Sequence, residues 1–89
     1  MREARAVRAE DVLPDELDVG TMNGVSVRKG SIGAFVANVK LLDGLDPTDQ
    51  GYQEVVDQLR ALIPAVRAVG VFDVLAPRSP MLAEIIAES

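Results

Sequence analysis

The sequence predicts an α+β fold, an N-terminal β-hairpin followed by three to four short helices packed on one of its faces. Three observations carry this expectation. Asn23-Gly24 lies between two short alternating segments, apolar residues recur at helical spacing over 32–42 and again over 52–66, and Ser79-Pro80 opens a last apolar stretch.

The hairpin is the most local signal. A two-residue type I′ turn needs positive φ at both central positions, and Asn-Gly is the pair that tolerates it best. Counting outward from Asn23-Gly24 pairs Met22 with Val25, Thr21 with Ser26, Gly20 with Val27, Val19 with Arg28 and Asp18 with Lys29. Side chains alternate along a strand, so Met22, Val25 and Val27 share one face and Thr21, Ser26 and Arg28 the other. Opposite charges at Asp18 and Lys29 close the open end. A two-stranded hairpin is marginal alone, so its apolar face needs helices or further strands, including those of a second copy.

Gly30-Ser31 leaves the second strand and starts a helix, with Ser31 in the N-cap position. Ile32, Phe35, Val36, Val39 and Leu42 form its amphipathic stripe, and Gly44 suits the C′ position. Ala34, Ala37 and Leu41 make a second, narrower apolar strip where charges are expected, with Asn38 on its edge. A helix apolar on two sides is usually buried on two sides, and a chain of 89 residues has few elements with which to do that.

Asp46-Pro47 opens the next helix, with Asp46 at N-cap, Pro47 at N1 and Asp49 at N3. Tyr52, Val55, Val56, Leu59, Leu62, Ile63 and Val66 give the longest stripe in the chain. Pro64 interrupts it, which predicts a kink or a new helix start there. Gly70 ends the segment, and residues 71–75 fit either a helical turn or a short strand. Ser79-Pro80 repeats the N-cap and N1 signature before a helix that turns Met81, Leu82, Ile85 and Ile86 inward.

This reading divides the chain into an arm over 1–16 and a single small domain over 17–89. Arg2, Arg5 and Arg8 lie in the arm, and Glu10, Asp11, Asp15, Glu16 and Asp18 then place five acids within nine residues. Such a run is a solvated segment or a lure for a basic partner.

The composition removes most chemistry. There is no His, Cys or Trp, so the neutral-pH proton shuttle, the thiolate nucleophile and the zinc-thiolate site are all missing. The expectation is therefore a protein that is not an enzyme and carries no metal and no cofactor. With 48% hydrophobic but only 3% aromatic residues, the core must be aliphatic, and a chain this short often completes its burial by oligomerising. The net charge of −5 opposes a phosphate backbone, which argues against nucleic acid. No apolar run reaches the roughly 20 residues that span a bilayer, and no h-region follows Met1, so the expected location is cytoplasmic, without a membrane partner.

Three features have a chemical reading beside a structural one. In Arg28-Lys29-Gly30-Ser31-Ile32-Gly33 two cations stand beside a helix N-terminus, where free N–H groups and the helix dipole favour an anion. The candidate anion-binding residues are Arg28, Lys29, Gly30, Ser31 and Gly33; the alternative is a tight strand-to-helix turn. Asp43 and Glu54 have the separation of the first and last ligands of an EF-hand loop, with Asp46 and Asp49 between them. Leu45, Pro47 and Thr48 stand where that loop needs oxygen ligands and a glycine, so no calcium site is expected. Asp73 lies between Phe72 and Val74, where a carboxylate acts as an acid or base if buried, and otherwise caps a turn or faces solvent. Tyr52 and Asn38 read as a core edge and a helix–helix hydrogen bond.

The Asn23-Gly24 hairpin, Gly30-Ser31-Ile32-Gly33, Asn38-Val39, Ile63-Pro64 and Gly70-Val71-Phe72-Asp73 together resemble a family of small bacterial proteins of unknown function, over residues 17–89. The resemblance implies no activity and assigns no site residue. The functional expectation is a non-catalytic interaction or accessory module acting as a homo-oligomer, a dimer first, or through another protein. Ala34, Ala37 and Leu41, or the free hairpin edge, would supply the contact. The alternative is a small-anion or metabolite binding domain using the 28–33 turn.

Overall fold

The chain folds around its longest helix. A computed structural model describes Arg8, which is exposed, and residues 18–89. The arm assigned to 1–16 otherwise lies outside the described residues, as does Leu17. Strands β1 (Val19–Met22) and β2 (Val25–Arg28) are followed by helices α1 (Ser31–Asp43), α2 (Tyr52–Val69), α3 (Val71–Val74) and α4 (Pro80–Ala87). This is the α+β architecture the sequence predicts.

The strands pair antiparallel in the predicted register, from Met22 with Val25 to Val19 with Arg28. Asn23 and Gly24 take φ of 49° and 78°, the left-handed values that a type I′ turn requires. The Lys29 amide donates to the Asp18 carbonyl at 2.6 Å, extending the ladder by one bond. Val27 is buried and Met22 and Val25 are half-buried, whereas Val19, Thr21, Ser26 and Arg28 on the other face are exposed.

Helix α2 packs against both strands and against α1, α3 and α4. Its Leu59, Ile63 and Val66 are completely buried and form the centre of the core. Phe35 and Leu42 reach it from α1 and Leu82 and Ile85 from α4, with Ile32, Val39 and Ile86 at the margin. Residues 71–74 form a helical turn, so the ambiguity in this segment resolves to helix. Phe72 meets Phe35 edge to face with ring centres 5.9 Å apart, a favoured aromatic geometry.

Five local expectations need correction. The N-cap of α1 is Gly30 rather than Ser31, because the reversal out of β2 needs φ of 88°, which glycine adopts freely. Ser31 is the first helical residue instead, buried, with its hydroxyl donating to the Arg28 carbonyl at 2.7 Å. Gly44 ends α1 in right-handed conformation, and the Gly44 and Leu45 amides donate to the carbonyls of Leu41 and Leu42, so no left-handed cap forms.

Asp46 does not start α2. It caps a turn ahead of the helix, in which the Asp46 amide donates to Asp49 Oδ2 at 2.6 Å and the Thr48 amide donates to Asp46 Oδ1 at 3.0 Å. The helix begins at Tyr52 with Gly51 as N-cap, since exposed Asp49-Gln50-Gly51 offers no burial to extend it backward and Gly51 is a poor helix former.

Pro64 starts no new helix, and α2 runs on from Tyr52 through Val69. Its ring is exposed while the stripe on both sides of it is anchored in one core, so packing overrides the missing backbone donor. Met81 does not face the core; it is 37% exposed at the first turn of α4 and its sulfur accepts from the Tyr52 hydroxyl.

Candidate interaction face on helix α1

Helix α1 lies against α2 through one face only. Gly33, Ala34, Val36, Ala37, Lys40 and Leu41 are all exposed on its other sides. Leu41 keeps 57% of its surface in solvent and Val36 45%. Val36 thus leaves the stripe to which the spacing assigns it, while Ala34, Ala37 and Leu41 form the second apolar strip as open surface. Lys40 is the only charged residue of α1 before Asp43 closes the helix. Asn38 donates to the Ala34 carbonyl of its own helix at 2.9 Å, so it bridges no second helix.

The strip is continuous with the strand-to-helix turn. Arg28, Lys29, Gly30 and Ser31 line an open depression of about 520 Å³, which Ala34, Leu62 and Asp18 complete. Four of the five candidate anion-binding residues therefore converge, and Gly33 stays outside. The depression brings an acid as well as two cations, and the Ser31 hydroxyl is already engaged with the Arg28 carbonyl.

The remaining acidic candidates serve the backbone or face solvent. Asp46 Oδ1 accepts both the amide and the hydroxyl of Thr48, and these two bonds, the amide first, hold its carboxyl below the usual carboxylate range. Asp73 is exposed on α3. Among the described residues no three acids gather as a metal-ligand set, and no buried polar side-chain atom lacks a partner. Among the same residues no helix is long and apolar enough to cross a membrane.

A second depression, of about 380 Å³, separates the hairpin tip from the C-terminal segment. Asn23 and Val25 stand on one side and Pro64, Arg67 and Ser89 on the other. Asn23 donates to the Ala68 carbonyl at 2.7 Å, and Arg67 donates to the carbonyls of Ile86 and Ser89. Arg60 adds an ion pair with Glu88 at 3.2 Å. Sequence periodicity gives no sign of these ties, because each rests on one or two polar side chains and not on a repeating pattern. No family model, curated protein or solved structure matches the chain.

Proposed function

We propose that this protein is a non-catalytic cytoplasmic interaction module that works as a homo-oligomer, a dimer first, through the exposed face of α1. The carrying observation is the solvent-facing strip of Ala34, Ala37 and Leu41 with Val36 beside it. A contiguous apolar helix face with one lysine on it is what a partner surface offers, and a two-fold axis buries it from both copies at once. Sedimentation analysis of the wild type against Ala34→Glu and Leu41→Glu tests the reading. The expected result is a wild-type dimer and two variants that are folded monomers by circular dichroism; a monomeric wild type overturns it.

The converging cations at Arg28 and Lys29 support a second reading, a small-anion site in the depression they line. Thermal shift with inorganic phosphate tests it, since an anion at a hundredfold excess over its Kd stabilises by about 2.7 kcal/mol. An unchanged melting temperature removes this reading.

A further inference from the structure

We infer that two copies join through α1 as an antiparallel pair with its two-fold axis beside Ala37, the acidic end of each helix lying against the basic turn of the other. This rests on the homo-oligomer reading and adds the partner's orientation and register.

Charge selects the orientation. Arg28 and Lys29 immediately precede α1 and outnumber Asp18 in the depression they share, whereas Asp43 closes the helix and Asp46 and Asp49 follow, all six being exposed. The helix dipole has the same sense, positive at the Arg28-Lys29 end and negative at the Asp43 end. Two parallel copies would set acid on acid and base on base. An antiparallel pair opposes unlike charges at both ends, and symmetry makes the two contacts identical.

Spacing selects the register. Ala37 stands six residues from Ser31 and six from Asp43, about 9 Å each way at a rise of about 1.5 Å per residue. Rotation about an axis at Ala37 brings Asp43 of one copy level with Ser31 of the other, directly after the Lys29 turn. The same rotation brings Leu41 level with Gly33. At about 100° per residue, Leu41 and Ala34 lie on the same side of the exposed face. Ala34 borders the depression completed by Leu62, so each exposed Leu41 descends beside that depression on the opposite copy. Gly33, Ala34 and Ala37 extend no further than Cβ, which lets the two backbones approach closely.

The test is charge reversal with Lys29→Glu and Asp43→Lys, followed by sedimentation of each variant alone and of an equimolar mixture. Each substitution places a charge that its own helix end favours; because Lys29→Glu also sets a like charge opposite Asp18, circular dichroism of each variant first establishes that its monomer is folded. Each acts twice in a symmetric dimer, and either variant alone should dimerise about tenfold more weakly than wild type. In the mixture, Glu at position 29 meets Lys at position 43 at one end and the native charges meet at the other, so association should recover. Unchanged dimerisation in both variants, or no recovery in the mixture, overturns the antiparallel register while the homo-oligomer reading stands. A monomeric wild type overturns both.

Discussion

The side-chain amide of Asn23 donates to the carbonyl of Ala68 at 2.7 Å, spanning 45 residues of sequence and tying the hairpin turn to the last turn of α2. The final carbonyls of a helix have no partner within it. Ala68 is buried, so its carbonyl depends on the amide that the turn brings to it. One residue therefore shapes the turn and secures the hairpin against the helix.

Asn23→Gly separates those two roles. Glycine keeps the positive φ and removes the amide, so stability should fall by about 1–2 kcal/mol. Urea unfolding would show this as a lower midpoint at an unchanged m-value. An unaltered midpoint would mean that solvent replaces the amide at the Ala68 carbonyl.

Burial predicts a steep contrast between two aliphatic residues. Ile63 is completely enclosed in the core, and Ile63→Ala should destabilise by about 2–5 kcal/mol. Val74 is 80% exposed, and Val74→Ala should stay within about 0.5 kcal/mol of wild type. Thermal unfolding of the two variants side by side decides whether α2 holds the core.

Pro64 withholds a donor from the Arg60 carbonyl in the middle of α2. Pro64→Ala restores that bond at an exposed position, where the new side chain meets no core neighbour. Stability should rise by up to about 3 kcal/mol. A melting temperature at or below that of wild type would show that the ring contributes packing worth more than the missing bond.

The Asp46 turn should respond to acid. Its carboxyl is depressed in the folded chain by the Thr48 amide and hydroxyl. A depressed carboxyl contributes stability above its unfolded value, near about pH 4, and loses it as pH falls through the lower folded value. Carbon-detected NMR titration should find Asp46 protonating below the ordinary range in wild type. In Thr48→Val, which keeps the amide and removes the hydroxyl, it should protonate closer to that range. Identical titration curves would dismiss the hydroxyl's part.

Much of this architecture was legible from residues because the signals were local. Asn23-Gly24 pins the hairpin register through turn geometry alone. Ser79-Pro80 likewise starts α4 where expected, with Ser79 Oγ accepting from the Leu82 amide at 3.1 Å. The Asp46-Pro47 signature was misleading for a physical reason. It was satisfied by a turn that stops, and a cap says nothing about whether the next residues have anything to pack against. At Pro64 the new-helix alternative fails, since tertiary burial on both sides outweighs one lost bond. At the candidate site, spacing located the Ala34–Ala37–Leu41 strip and the Arg28–Lys29 turn. That the two are continuous, through Ala34 and Leu62, depends on where α2 lies beside α1, which no local pattern encodes.

All extensive packing between elements, apart from the hairpin's own ladder, involves α2. Its amides should therefore be the last to take up deuterium, exchanging only through opening of the whole domain. The short α3 turn and the hairpin should exchange sooner, since neither packs extensively on any element but α2. One helix thus serves every other element as the surface on which it folds.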